Sequence, residues 1–126
     1  MKREIINSEN APTPIGPYAH ANKVGNFVFI SGQLPVDPVT GELKTSIKEA
    51  TKMSLKNAEA ILKDCGSSIS DVVKTTVFLK NLDDFKYMNE VYSEYFSENP
   101  PARSCVQVGK LPMDAVVEIE LIALLK

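Results

Sequence analysis

An arginine and a cysteine stand at the start of a predicted strand near the C-terminal end of the chain. The segment 100–105 reads Pro-Pro-Ala-Arg-Ser-Cys, so Arg103 enters the strand directly behind a rigid double proline. With the two-residue period of a strand, Arg103, Cys105 and Gln107 share one face. The double proline therefore gives the Arg103 guanidinium a well-defined position.

Two carboxylates alternate with apolar residues in the last predicted strand, where Glu118 and Glu120 share a face. If the loop 109–114 closes a hairpin, these glutamates come near Arg103 and Cys105. A guanidinium binds a carboxylate through two parallel hydrogen bonds, which leaves a glutamate to position a water or to move a proton at the adjacent carbon. The set suits a small carboxylate substrate and requires no metal.

A purely structural interpretation of the same residues stays open on spacing alone. Exposed cross-strand pairs of arginine and glutamate on a solvated sheet face are common and contribute little to stability. Cys105 also fits a small buried cysteine in an alternating strand, because nothing in the sequence indicates a lowered thiol pKa.

Conventional metal and cofactor motifs are missing from the sequence. One histidine, His20, and two distant cysteines, Cys65 and Cys105, do not make a conventional zinc site. The chain has no glycine-rich phosphate loop and no Gly-x-Ser-x-Gly motif. We therefore expect no metal and no cofactor. We expect His20 to be a surface or loop residue, because the sequence supplies no partner to orient its ring.

The composition predicts one globular domain over residues 1–126, with 44% hydrophobic residues and a formal net charge of −2. Lysine and arginine are spread singly among acidic residues, so the basic stripe that nucleic-acid binding needs is missing. The longest apolar runs are far shorter than the ~20 residues that cross a bilayer, so no membrane association is expected. Two cysteines and no signal-peptide pattern predict a reduced cytoplasmic protein.

Helical periodicity predicts a first helix at 47–65 and a second at 84–97. Ser46 and Glu49 have the form of a capping box at the start of the first helix. Gly66 stands directly after it, where a left-handed C-terminal residue belongs.

The second helix carries a polar residue on its apolar stripe. Asp83 or Asp84 is suited to cap its start. Asn89 lies on the stripe, and an amide there must be hydrogen-bonded if it is buried. Asn89 therefore either braces a neighbouring loop or helps to line a cavity, and the bracing role is favoured.

Segments rich in β-branched or aromatic residues predict strands between and around the helices. The order of elements predicts an α+β fold in which two helices cover one face of a mixed sheet. Apolar residues on the opposite face would then be covered by another copy of the chain, so a homo-oligomer is expected. The predicted strands lie at 3–6, 26–32, 72–80, 104–108 and 116–124, with a further short one at 18–22.

Six runs of residues occur in one known family in the same order and with comparable spacing. They are Ala-Pro at 11–12 with Ile-Gly-Pro-Tyr at 15–18, Ser-Gly-Gln-Leu-Pro at 31–35, Val-Lys-Thr-Thr-Val-Phe at 73–78, Pro-Ala-Arg-Ser-Cys-Val at 101–106, Leu-Pro at 111–112 and Val-Glu-Ile-Glu at 117–120. The chain closely resembles the reactive intermediate deaminase family, in its RidA-type branch of 2-iminobutanoate/2-iminopropanoate deaminases. The resemblance covers essentially the whole chain.

The resemblance implies a chorismate-mutase-like α+β subunit in a homotrimer, with the sheets packed around the centre and three sites in the clefts between subunits. In the implied catalytic set, Arg103 binds the substrate carboxylate, Glu118 holds and activates the hydrolytic water, and Cys105 contributes a backbone contact. The likeness selects Glu118 over Glu120. The implied substrate-binding set comprises Tyr18 packed over the ligand, the Gly32 backbone, Ser31, Asn89 and Arg103.

The implied activity is hydrolysis of the reactive enamine and imine products of pyridoxal-phosphate-dependent dehydratases to 2-oxoacids and ammonia, without a cofactor. Such a reaction needs only an oriented carboxylate, a placed water and one managed proton. One alternative is a 2-oxoacid-sensing regulatory protein, and another is an RNA-cleaving translation inhibitor, which the acidic balance argues against. Departures from the family pattern at His20 and at 97–100 leave the substrate range open.

Overall fold

The computed structural model describes residues 1–125, which form strands and helices close to the predicted positions. The short strand predicted at 18–22 starts three residues later and ends two residues later, and the other predicted bounds differ by no more than two residues. The strands are β1 (Arg3–Ile6), β2 (Ala21–Val24), β3 (Phe27–Gln33), β4 (Val72–Leu79), β5 (Ala102–Gln107) and β6 (Val117–Leu124), and the helices are α1 (Ile47–Asp64) and α2 (Phe85–Tyr95).

The strands form one mixed sheet in the order β1-β2-β3-β6-β4-β5. Every neighbouring pair is antiparallel except β4 and β5, which run parallel. A parallel pair needs a crossover connection, and α2 supplies it between β4 and β5. The predicted hairpin at 109–114 is therefore wrong, because the crossover places β5 on the outer edge and leaves β4 between β5 and β6.

Both helices cover the same face of the sheet, as predicted. Helix α1 packs against β3, β6 and α2. Within residues 1–125, neither helix is long and apolar enough to span a bilayer. The buried apolar side chains that the three central strands place on this covered face include Val28, Ile30, Val77, Leu79, Val117, Ile119, Leu121 and Ala123.

The opposite face, called here the open face, carries large apolar side chains without a layer above them in one chain. Phe27, Phe29, Val106 and Leu124 lie on it, and each is more than 40% exposed. Several large exposed apolar side chains on one sheet face are typical of an interaction site. The homotrimer stays a prediction, and the open face is the surface that it would cover.

At α1, the predicted C-terminal cap is observed and the predicted N-terminal cap is not. Gly66 has a φ of +80° and donates its N–H to Lys63 O, which confirms the predicted left-handed C-terminal residue. The capping box is not formed, because the Ser46 hydroxyl makes no hydrogen bond to the helix start. Ser46 is exposed, so solvent reaches the N–H groups of the first turn.

Helix α2 starts differently from the prediction. Neither Asp83 nor Asp84 caps it with a side chain. Instead, Asn81 Oδ1 accepts a hydrogen bond of 2.9 Å from Asp83 N. Asn81 thereby begins a 3-10 turn at Leu82–Asp84 that leads directly into α2.

Candidate functional site

A cavity of about 680 Å³ opens beside the C-terminal end of β3. Tyr18, Ser31, Gly32 and Glu118 all line it, so four of the predicted site residues meet in one place. Glu120 also lines it. We call this the Glu118 cavity. Much of the remaining wall is apolar and comprises Ile15, Leu34, Val36, Pro38, Pro112 and Met113.

A bulge in β3 brings the backbone up to the Glu118 carboxyl group. The pairing of β3 with β6 shifts register between Ile30 and Gln33, and Gly32 lies inside that shift. A Cβ atom built on Gly32 would lie 2.8 Å from Glu118 Cδ. Only glycine therefore allows the carboxyl group to lie against the backbone here. A glycine inside a strand pattern is the sequence signal that indicates such a close approach.

Glu118 is electrostatically distinct from an ordinary surface glutamate. Burial raises the pKa of its carboxyl group, and the neighbouring charge of Glu120 raises it further. Among residues 1–125, no lysine or arginine forms a salt bridge with Glu118. A half-buried carboxyl group with a raised pKa in a cavity is a candidate general acid or base.

Ser31 is held on two sides by the segment that precedes β2. Its Oγ donates a hydrogen bond of 2.6 Å to Ala19 O, and its backbone N–H donates to His20 O at 2.9 Å. The hydroxyl proton of Ser31 is thus committed to the protein, so its oxygen is left to a ligand as an acceptor. Tyr18 is 46% exposed, and its Oη accepts a hydrogen bond of 3.4 Å from Ile15 N.

His20 lies in the loop before β2, which agrees with the loop alternative of the prediction, but its side chain is buried, so the surface alternative is wrong. Only 2% of the residue is exposed, and it also lines the Glu118 cavity. Nδ1 accepts a hydrogen bond of 2.8 Å from Ser8 N, and Nε2 lies 2.6 Å from Pro12 O. Both partners are main-chain groups, which leave no side-chain pattern in the sequence. That is why the spacing of side chains gave no sign of them.

A second group of predicted residues gathers around Arg103 at the β5 edge of the sheet. Arg103 Nη1 donates a hydrogen bond of 2.6 Å to Asn89 Oδ1 on α2, so Asn89 braces an arginine rather than a loop. The centre of the guanidinium lies 4.7 Å from the ring centroid of Tyr92 and 5.3 Å from that of Phe85. We call these four residues, together with Cys105, the Arg103 cluster.

Cys105 lies half-buried in β5, on the same side of the sheet as Arg103. Burial raises the pKa of its thiol, and the positive charge of Arg103 only partly opposes this. The thiol is therefore protonated at neutral pH and is a poor nucleophile. Cys65 is free as well, so the two cysteines form no disulfide.

Within one chain, the Glu118 cavity and the Arg103 cluster lie on opposite faces of the sheet. Arg103 pairs with Thr75 of β4, whose side chain is buried on the covered face. Glu118 pairs with Phe78 of the same strand, and its side chain lies on the open face. The expected approach of Arg103 to Glu118 through a hairpin is therefore not observed.

Metal ligation requires a cluster of suitable side chains. Within the part of the chain that the structure describes, no group of three or more histidine, cysteine, aspartate or glutamate side chains could hold a metal ion.

The fold and the site together define a class of small α+β proteins. Its features are a mixed six-stranded sheet, two helices on one face, and a glutamate in a cavity beside a bulged strand. Comparison with known proteins identifies this class. The family model described as Endoribonuclease L-PSP matches residues 8–125. A RutC family protein of Pyrococcus abyssi is 57% identical over 124 residues, which cover 98% of each chain. TdcF of Escherichia coli, provisionally named a reactive intermediate deaminase, is 45% identical over 96% of each chain.

Solved structures agree with these sequence relatives. The crystal structure of Escherichia coli TdcF with bound serine has a TM-score of 0.94 at 44% identity, over 98% of this chain and 99% of TdcF. A Thermotoga maritima protein, provisionally described as an endoribonuclease, has a TM-score of 0.94 at 49% identity, over 100% and 99% of the two chains. The chain belongs to the RidA family of reactive intermediate deaminases, which the Endoribonuclease L-PSP model represents.

Proposed function

We propose that the protein is a 2-iminobutanoate/2-iminopropanoate deaminase, which hydrolyses enamine and imine products of pyridoxal-phosphate-dependent dehydratases to 2-oxoacids and ammonia. The observation that carries this proposal is a pair of complementary half sites. Among residues 1–125, Arg103 is in no salt bridge with a carboxylate, and Glu118 is in none with a cation. A substrate with a carboxylate next to an electrophilic carbon fits between two such groups.

Subunits of a homotrimer would bring the two half sites together. Because Arg103 and Glu118 lie on opposite faces of one sheet, Arg103 of one subunit must face Glu118 of another to form one site. The exposed apolar side chains of the open face, such as Phe29 and Val106, support association through this face. Sites in clefts between subunits follow from this arrangement.

Arg103 would bind the substrate carboxylate. Its guanidinium is stacked on aromatic rings and held by Asn89, so little side-chain freedom remains to be lost when a ligand binds. The N–H groups that Asn89 does not use can donate two parallel bonds to a carboxylate. Tyr18 would pack over the ligand from the cavity side, while backbone groups of Gly32 and Cys105 would supply further polar contacts.

Glu118 would manage the proton that the reaction moves. In its ionised form it accepts a proton from a water molecule while the water oxygen bonds to the imine carbon and the carbon–nitrogen π electrons pass to nitrogen. Glu118 then returns that proton to the nitrogen, which gives a carbinolamine, and next transfers the hydroxyl proton of this intermediate to its amino nitrogen. The electron pair left on oxygen forms the carbonyl as the carbon–nitrogen bond breaks, which releases ammonia and a 2-oxoacid. The raised pKa of Glu118 suits both halves of this cycle.

A coupled assay tests the proposal. A dehydratase generates the imine in the presence of semicarbazide, which competes for it, and release of the 2-oxoacid is followed. We expect the wild-type protein to accelerate release and Arg103→Ala to lower kcat/KM by about 10- to 100-fold, since a charge-assisted contact is lost. No acceleration by the wild type, or full activity of Arg103→Ala, would contradict the proposal.

A regulatory protein that binds 2-oxoacids without turnover is the second candidate, and the serine bound to the related TdcF favours it. Ligand binding without any rate effect would identify this function. The name of the family model suggests RNA cleavage as a third function, but cleavage that continues unchanged after Glu118→Ala would count as contamination. We expect a cytoplasmic location, where free thiols such as those of Cys65 and Cys105 stay reduced.

A further inference from the structure

We propose that His20 is a positioning residue of the Glu118 cavity, which fixes the loop that carries Tyr18 through its two ring nitrogens. The loop, called here the Tyr18 loop, comprises residues 12–20. The kinetic part of this inference rests on the proposed deaminase activity, whereas its structural part does not.

The hydrogen bonds of His20 define one tautomer of its ring. Ser8 N can only donate, so Nδ1 of His20 must be the acceptor of their 2.8 Å bond. Pro12 O can only accept, so Nε2 must carry the proton of their 2.6 Å bond. The neutral ring with its proton on Nε2 satisfies both contacts. A buried ring with both nitrogens occupied is held rigidly.

These bonds close the Tyr18 loop at its base. Pro12 begins the loop and His20 ends it, and the bond from Nε2 to Pro12 O joins the two ends directly. Within the loop, Tyr18 N donates to Gly16 O and Tyr18 Oη accepts from Ile15 N, so both bonds of Tyr18 stay inside the loop. The position of Tyr18 relative to the sheet therefore depends on the base of the loop.

The chain before the loop is anchored to helix α1. Ser8 Oγ donates a hydrogen bond to Asp64 at the end of α1 and accepts one of 3.0 Å from Asn10 N. Asn7 Oδ1 accepts a further hydrogen bond of 3.1 Å from His20 N. Ser8 is thus fixed to the helical layer and holds the ring of His20 at Nδ1, while the main-chain bond from His20 N to Asn7 does not depend on the ring.

The end of the Tyr18 loop is also bonded to a residue that lines the Glu118 cavity. The carbonyl groups of Ala19 and His20 accept both hydrogen bonds that Ser31 donates. Pro12, Tyr18 and Ser31 all line the cavity in which Glu118 lies. A change at His20 should therefore move the wall that contacts substrate, without contact between His20 and the Arg103 cluster.

Two substitutions separate the two bonds of the ring. His20→Gln places an amide N–H near the position of Nε2 and retains the bond to Pro12 O, whereas His20→Asn places an amide oxygen near Nδ1 and retains the bond from Ser8 N. Each variant leaves one buried main-chain group without its partner, so we expect similar losses in melting temperature. Because only the Pro12 bond closes the loop, His20→Gln should keep KM within about threefold, and His20→Asn should raise KM by about tenfold.

Nuclear magnetic resonance gives a readout that does not depend on activity. The chain has one histidine, so a ¹⁵N spectrum of the imidazole contains the signals of His20 alone. We expect a protonated Nε2 and an unprotonated Nδ1. The amide signals of Tyr18 and Ser31 should shift in His20→Asn and stay near their wild-type positions in His20→Gln.

The outcomes separate this inference from the proposed function. If the wild type has no deaminase activity but the amide signals respond as expected, the proposed function fails and the positioning role stands. Unshifted signals of Tyr18 and Ser31 in His20→Asn would overturn the positioning role. So would an equal loss of activity in both variants that follows their melting temperatures, since that result describes a residue needed only for the fold.

Discussion

The Glu118 cavity and the Arg103 cluster are built in different ways. The cavity depends on main-chain groups: the bulge at Gly32, the carbonyl groups that hold Ser31, and the backbone partners of His20. The cluster depends on side chains, because an amide and two aromatic rings hold the Arg103 guanidinium. The acid–base half of the proposed site is therefore sensitive to backbone geometry, and the carboxylate-binding half to side-chain truncation.

The Glu118 cavity and the Arg103 cluster are each preorganised within a single chain. Each half lies on its own face of the sheet, so each is complete as a local structure in a single chain. Arg103 is oriented before any partner subunit arrives, and the pKa of Glu118 is already raised by its own surroundings. Assembly would then only have to bring two preorganised groups to a distance that one small substrate spans.

The largest effect is expected when the two halves are broken in separate chains and then mixed. Glu118→Gln removes the proposed base and should lower kcat by about 10²- to 10⁴-fold. Arg103→Ala removes the carboxylate contact. In a 1:1 co-refolded mixture of these variants with cyclic symmetry, about a quarter of the sites between subunits would contain both native residues. We expect the coupled deaminase assay to recover about that fraction of wild-type activity.

The separate variants are the controls for this experiment, and their refolded homo-oligomers should stay nearly inactive after the same treatment. A mixture no more active than the mean of the two would show that the halves are not shared between subunits. Their proposed complementarity would then have to be abandoned.

A smaller effect is expected from a methyl group at the bulge. In Gly32→Ala the new Cβ would lie 2.8 Å from Glu118 Cδ, so the carboxyl group must move away. A displacement of about 1 Å can lower kcat by up to about 100-fold. Gly109→Ala is the matched control, because a Cβ at Gly109 meets nothing within 4 Å. Steady-state kinetics of both variants give the comparison, and equal activity of Gly32→Ala and wild type would refute the dependence on backbone geometry.

Strand periodicity was sufficient to predict which side chains share a face. Arg103 lies with Cys105, and Glu118 with Glu120, as the two-residue period requires. The order of the strands was not accessible in the same way. The loop 109–114 has the length of a hairpin connection, but β4 pairs with both β5 and β6 and separates them. Such pairing depends on contacts between distant segments, which local sequence patterns do not record.

Residues held by main-chain groups were also missed. The partners of His20 are the N–H of Ser8 and the carbonyl of Pro12, and these groups occur at nearly every position of any chain. The hydrogen bond of Asn89 was easier to predict, because a polar residue on an apolar stripe requires a partner. The sequence thus predicted the contacts of the Arg103 cluster better than the main-chain contacts around the Glu118 cavity.

The smallest effect concerns the pKa of Glu118 and tests which half controls the pH dependence. Burial is the larger cause of the raised pKa, and Glu120 is the smaller. Glu120→Gln removes the like charge and leaves burial in place, so the pKa of Glu118 should fall but stay above that of an ordinary glutamate. If ionised Glu118 is the base, activity is lost as the pH falls through its pKa. The acidic limb of the pH profile of kcat/KM should therefore move to lower pH in Glu120→Gln.

Glu90→Gln is the matched control for this shift, because Glu90 makes an exposed salt bridge with Lys48 on the helical layer. It changes the net charge by the same amount without contact with the cavity, so we expect its acidic limb to coincide with that of the wild type. Equal shifts in both variants would assign the effect to overall charge, and a shift to higher pH in Glu120→Gln would exclude ionised Glu118 as the base. An acidic limb that moves in Glu120→Gln and not in Glu90→Gln therefore belongs to the Glu118 cavity.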